Sequence, residues 1–161
     1  MVQRSPRWAV WNRLRLVTKE GIVYLDRLRL LQTPYFGIYL HWINGPDPDP
    51  DPHDHPWNFW SFILWGGYTE VYYNTQHNLF SHNLRHWARW SWHRMSARGV
   101  AHRIWKVHPH TMTLIIVGRR QRDWGFWTDG GAMRLGGKRM TKWVSWEEYE
   151  KRSGSKQVKL S

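Results

Sequence analysis

The chain has 161 residues and a mass of 19.6 kDa, one domain's length, and 41% of it is hydrophobic, too much for a disordered chain. Lys and Arg total 24 against 12 Asp and Glu, a formal net charge of +12. There is no Cys, which excludes a disulfide scaffold, thiolate zinc or iron–sulfur centres and thiol catalysis, so any metal falls to the 10 His and the few carboxylates.

Ser5-Pro6 has the form of a helix cap followed by a first-turn proline, and Trp8, Trp11 and Leu14 recur at helical spacing. A short N-terminal helix is predicted, ending at Gly21. Ile22 to Leu31 is rich in β-formers. Phe36, Ile38, Leu40 and Trp42 then alternate with Gly37, Tyr39 and His41, the pattern of a half-buried strand with His41 facing outward. Pro46, Pro48, Pro50 and Pro52 alternate with Asp47, Asp49 and Asp51 in a stiff, extended strap.

Phe59 to Trp65 and Tyr68 to Tyr73, joined by Gly66-Gly67, read as a hairpin. Asn74 to Leu84 is polar and turn-like. Trp87 to Trp92, Ala101 to Val107, Thr111 to Val117 and Asp123 to Thr128 are further short strands. Gly130-Gly131 and Gly136-Gly137 mark a looser region, Trp143 to Trp146 is a last strand, and Glu147, Glu148 and Glu150 begin a short helix. The tail from Ser153 is polar and basic. Many short strands with close turns predict an all-β sandwich or barrel. No apolar run has the length of a signal peptide or a membrane span, so a soluble, cytoplasmic protein is expected.

The charge is unevenly placed. Residues 1–29 carry +5, residues 30–84 carry −5 with no Lys or Arg at all, and residues 85–161 carry +12. The acidic middle suits a cation, either a metal or a positively charged substrate group, while the basic ends can attract a phosphate-bearing partner at long range. That middle also holds the clearest chemistry, His53-Asp54-His55-Pro56-Trp57. In extended chain, residues i and i+2 face one side, so two imidazoles converge as half of a metal site. The best third ligand is His102, at the start of an apolar strand behind Gly99. His108-Pro109-His110 is the competing pair, at a turn. The other His residues, His93 among them, read as surface. The 14 Trp, 7 Tyr and 5 Phe exceed what a small core hides, so rings such as Trp57, Phe59 and Tyr68 should border the site as a substrate pocket.

These residues resemble the cupin superfamily. His53-x-His55 is followed at the family's distance by Gly66 or Gly67, and Gly99-x-x-His102 fits the second motif. The family's Glu ligand falls on Phe59 or Trp60 and is absent. The phrase His-Asp-His-Pro-Trp, with Ser61, Tyr68, Glu70 and Trp124-Gly125-Phe126, resembles small uncharacterised cupin-like proteins of phages and bacteria. The resemblance implies a single-domain jelly-roll barrel, or double-stranded β-helix, over residues 35–128. Residues 1–34 would supply the N-terminal helix and first strand, and residues 129–161 an irregular extension with a basic tail.

It also implies a divalent transition metal on His53, His55 and His102. Fe(II) is favoured, because three His without the Glu resembles the cupin thiol dioxygenases; Mn(II), Ni(II) and Zn(II) are the alternatives. Glu70 is the candidate displaced ligand or catalytic base. The function expected is a metal-dependent cupin enzyme on a small molecule, with dioxygenase, isomerase or lyase chemistry. The alternatives are a non-catalytic small-molecule-binding barrel and a basic accessory protein touching nucleic acid. The expected partners are a small-molecule substrate and a second copy of the chain, with only weak, non-specific nucleic-acid contact and no membrane. Phage origin would place the protein in the host-cell cytoplasm.

Overall fold

The computed structural model describes residues 8–18, 20–75, 81–135 and 138–153. Ser5-Pro6, His77, Gly136-Gly137 and the tail beyond Ser153 lie outside them. The described chain is nearly all β. The strands are β1 (Ala9–Val17), β2 (Val23–Gln32), β3 (Gly37–Ile43), β4 (Phe59–Trp65), β5 (Gly67–Asn74), β6 (Ser81–Ala88), β7 (Trp92–Met95), β8 (Val100–Val107), β9 (Thr111–Val117), β10 (Gly125–Leu135) and β11 (Lys138–Ser145), and the helix α1 (Trp146–Ser153) follows. They form a six-stranded sheet in the order β1-β2-β3-β9-β4-β7, a three-stranded sheet β6-β5-β8 and the pair β10-β11, with antiparallel pairing throughout.

The predicted N-terminal helix is instead strand β1. Trp8, Trp11 and Leu14 do recur at helical spacing, but pairing along β2 overrides that weak local preference. Arg13 and Arg15 both reach Asp26 across the pair, at 2.5 and 3.4 Å. Of the polar segment Asn74 to Leu84 read as turn-like, Ser81 to Leu84 open strand β6, and the strand expected over Trp87 to Trp92 is broken by a turn at Arg89-Trp90. The C-terminal region, expected to be irregular, pairs as β10-β11 and ends in α1, where the Ser145 hydroxyl accepts from the Glu148 amide as a cap.

Gly66-Gly67 does not close a hairpin. β4 pairs with β9 and β7 while β5 pairs with β6 and β8, so the two glycines carry the chain from one sheet to the other. Gly66 has φ 66°, and a Cβ there would lie 2.5 Å from Thr111 Oγ1 and 2.8 Å from Thr111 Cα. The same hydroxyl accepts from the Gly67 amide at 3.0 Å, which locks the corner onto the start of β9.

Between the sheets lie two apolar clusters. Tyr39, Phe59, Met95, Ile115 and Val117 form one, and Ile43, Ile63 and Tyr68 the other. In β3 the buried set is Gly37, Tyr39, His41 and Ile43, so the inward face is the one expected to face out. Its outer face, Ile38, Leu40 and Trp42, is only partly covered.

Replacing Gly66 by Ala adds a Cβ against Thr111 at a backbone angle that L residues avoid. A loss of roughly 1–3 kcal/mol is expected in urea unfolding, the usual cost of such strain. An unchanged midpoint would show that the corner does not depend on the glycine.

Candidate metal centre

The strap ends in extended chain that fills the gap between β8 and β10. His53 exchanges backbone hydrogen bonds with His102, at 2.9 Å each way, and bridges to Phe126 on the other side. The Pro52 carbonyl accepts from Trp127 N at 2.8 Å, and the Asp54 amide donates to the Gly125 carbonyl at 3.0 Å. Upstream, Asp47 donates its amide to the Ile104 carbonyl and accepts from the Ile104 amide, at 3.0 and 2.7 Å. The prolines have no N–H to leave unpaired here, and their fixed φ suits an extended run.

Alternation then sorts the three residues. His53 and His55 turn inward toward His102. Asp54 turns the other way and is 1% exposed. Its Oδ1 accepts from the Gly125 amide at 2.8 Å, and its Oδ2 accepts from Trp143 Nε1 at 2.9 Å and Trp127 Nε1 at 3.2 Å, with Arg122 Nη1 at 2.8 Å. Burial raises the Asp54 pKa, and these donors and the Arg122 charge pull against that. Removing the carboxylate would strand a guanidinium and three N–H donors.

One ring nitrogen from each of His53, His55 and His102 lies within 4.8 Å of the others, and among the described residues no other such group of three ligand-bearing side chains forms. His55 Nε2 and His102 Nε2 are 2.8 Å apart. Glu70, 0% exposed, accepts from His102 Nδ1 at 2.6 Å through Oε2 and from Trp87 Nε1 at 2.9 Å through Oε1. A carboxylate on Nδ1 fixes the His102 tautomer and leaves the Nε2 lone pair aimed at His55. On His53, Nδ1 lies 3.8 Å from Asp47 Oδ2.

Burial holds His55 well below the usual histidine range and His53 down at about 4. His102 goes up: burial works against its charge, but the hydrogen bond and charge of Glu70 outweigh it. Glu70 in turn is lowered: burial pushes it up, and the bond from His102 more than reverses this. Two imidazoles held neutral by burial and a third with a carboxylate behind its Nδ1, their other nitrogens converging, are the donor set a divalent transition ion takes, so the residues fit such an ion.

Of the expected pocket residues, Phe59 stands edge-on to His55 at 4.8 Å between ring centres, and Trp57 packs against the cluster that contains Phe59. Tyr68 is deeper. Its hydroxyl is 2.6 Å from His93 Nε2, and His93 stacks on Trp87 at 4.3 Å, so Tyr68 reaches the triad through Trp87 and Glu70. Glu70 lies behind His102, its oxygens already engaged. His108 and His110 are exposed, His110 at a turn with φ 59°.

His93 and His41, read from the sequence as surface or outward-facing, are both buried. Arg27, which donates from Nε to His41 Nε2 at 2.8 Å, was not singled out at all. For His41 and Arg27 the missed signal was parity: they lie directly opposite each other in the β2-β3 register, on the face of Tyr39 and Ile43.

No protein-family profile and no curated protein matches the sequence. Solved structures do resemble it. A proposed mannose-6-phosphate isomerase from Ralstonia eutropha JMP134 is 17% identical with a TM-score of 0.49, over 59% of this chain and 84% of that one. Fe(II)-HppE is 14% identical with a TM-score of 0.49, over 73% of this chain and 59% of that one. KdgF from Halomonas sp. is 10% identical with a TM-score of 0.48, over 65% and 88%. These structure neighbours are cupin-fold proteins. What the site can do follows from its own side chains.

Two outcomes are expected. Asp54→Ala should cost about 3–5 kcal/mol in chemical unfolding, the scale for breaking a buried charge pair; a loss below about 1 kcal/mol would mean that the strap is held some other way. The second concerns pH. His41, His53, His55 and His93 are all lowered by burial. The unfolded chain protonates them near pH 6.5 and the folded chain resists. Their stability is therefore full above about 6.5 and is lost as the pH falls toward 4. His102, raised by Glu70, has the opposite sign, since its contribution is full below 6.5 and is lost as the pH rises through its folded value. Four groups outweigh one, so urea midpoints of chelator-treated protein should fall steadily from pH 7 to 4.5. A flat profile would contradict the buried, neutral imidazoles.

Proposed function

We propose that the protein is a metal-dependent enzyme acting on a small molecule inside the barrel, with Fe(II)-dependent dioxygenase chemistry as the favoured reaction. The observation that supports it most directly is the convergence of three imidazole nitrogens, one of them backed by Glu70. His53, His55 and His102 would hold the ion. Three neutral ligands leave coordination positions free, so a redox-active divalent ion there supplies Lewis acidity and electrons for an oxygen-dependent oxidation.

The chain's own residues do the rest. Glu70 accepts a hydrogen bond from His102 Nδ1 and so selects the neutral tautomer whose Nε2 lone pair faces the site. It is a positioning residue in this reading, because both of its oxygens are engaged by His102 and Trp87. Trp87 orients Glu70, and Asp54 orients the strap that carries two ligands. Phe59 walls the His55 side and excludes water from it. The whole polar chain of Tyr68, His93, Trp87, Glu70 and His102 is packed between the sheets, so the tautomer of His102 is set before any ligand arrives.

Elemental analysis of purified protein should find close to one divalent transition ion per chain. His53→Ala with His55→Ala should abolish it, and His108→Ala with His110→Ala should leave it intact. Glu70→Gln should weaken retention by about 10–100-fold, the range for losing a carboxylate behind a ligating His. Metal lost with His108 and His110 but kept without His102 would overturn the assignment. Oxygen consumption by the Fe(II)-loaded protein over a library of small acids, amines and thiols separates the enzyme from a binding barrel that shows no turnover.

A further inference from the structure

Strand β2 places a second feature on the inward face that the metal reading does not use. Arg27 and Arg29 lie opposite His41 and Tyr39 in the β2-β3 register, and Leu25 on the same face packs into the Ile43 cluster. Both guanidiniums therefore project between the sheets. Among the described residues, no Asp or Glu forms an ion pair with either.

Parity explains this. Asp26, the acid of β2, faces the opposite side and is taken by Arg13 and Arg15. The carboxylates nearest the site are also engaged: Asp47 by the Ile104 amide, Asp54 by Arg122 and Glu70 by His102.

What Arg27 touches is neutral. Arg27 Nε donates to His41 Nε2 at 2.8 Å, and its guanidinium lies 5.4 Å from the Tyr39 ring centre. Arg29 Nε is buried and has no hydrogen-bond partner. Neither has Asn12 Oδ1, a buried acceptor directly across the β1-β2 pair from Arg29. Both arginines are half-buried, and a buried donor without a partner is costly. Such a donor is retained where a ligand supplies the missing acceptor. A planar guanidinium matches a carboxylate or phosphate with two parallel bonds, and fixing Arg27 through His41 pre-orients its remaining donors.

Arg27 is also linked to the histidines by packing. Arg27 lies over Tyr39, Tyr39 shares its cluster with Phe59, and Phe59 stands against His55.

We infer that Arg27 and Arg29 anchor the anionic group, a carboxylate or a phosphate, of the small molecule that enters the barrel, with its other end against Phe59 and the histidine triad. Asn12 Oδ1 asks for a donor beside that anion, which a hydroxyl or amine on the ligand provides. This substrate class rests on the reading of the barrel interior as a ligand site, but the anchor itself does not need the metal.

The test uses the full chain, as purified and again after chelation, with side-chain amide NMR of the Arg Nε–H groups. Inorganic phosphate is titrated in one arm and acetate in the other, at constant ionic strength set with sodium chloride. The expected result is a saturable shift of the Arg29 Nε–H in at least one arm, with the arm that saturates first naming the anion. Arg29→Gln should weaken that binding at least tenfold while leaving metal content unchanged. Arg29→Lys, which keeps the charge without the planar fork, should give an intermediate affinity and covers the case in which Arg29→Gln does not fold. Arg89→Gln, an exposed charge on the same basic protein, should change nothing.

No saturable shift in either arm, or equal affinity in wild type and both Arg29 variants, overturns the anchor. Anion binding without metal retention would sink the metal reading and leave the anchor standing. Metal retention without anion binding would do the reverse.

Discussion

The site depends on a two-residue alternation across one short stretch of extended chain. His53 and His55 face the interior because Asp54 faces away from it, and Asp54 faces away because β10 and β11 present it with an amide and two indoles and the segment before β10 adds the Arg122 guanidinium. A carboxylate this buried is costly unless every lone pair is used, and here the donors come from both strands of the C-terminal pair. The same alternation gives the strap its backbone partners, His102 on one side and Phe126 on the other. Shift the register by one residue and both imidazoles would turn outward while the acid entered the barrel.

Much of the strand content was legible in the sequence, because alternation of β-formers between glycine and proline breaks is a local signal. β2, β3, β4, β5, β8 and β9 fall close to where that pattern places them. Pairing was less legible. Gly66-Gly67 looks like a hairpin turn, and it is the pairing of β4 and β5 in different sheets, locked by the distant Thr111 hydroxyl, that makes it a corner. β1 shows the same limit: its apolar spacing is helical, and its strand conformation comes from β2 and from Asp26 across the pair.

The candidate site was legible where its chemistry is concentrated and illegible where it is spread. His53, Asp54 and His55 are adjacent, and His102 follows a glycine. The role of Glu70 needed the β5-β8 register, which spacing along the chain cannot supply. His41, His93 and Arg27 were missed for a different reason. The usual assumption sends the more apolar face of a strand inward, yet β3 turns Tyr39 and His41 in and leaves Ile38, Leu40 and Trp42 on the outer face. β3 gives inward positions to polar groups, so hydrophobicity points the wrong way there.

The contacts that finish the candidate metal centre are far apart in the chain. Trp143 reaches Asp54 across 89 residues, and Tyr149 reaches Asp51 of the strap across 98. Ordering the loops between such partners has to be paid for before the contacts form. During synthesis the two sheets can begin to pair as soon as β9 has emerged, but the strap has no partner for its buried acid until β10 and β11 follow. His53 and His55 are made early and His102 later, yet all three gain their final geometry only when the last strand is complete.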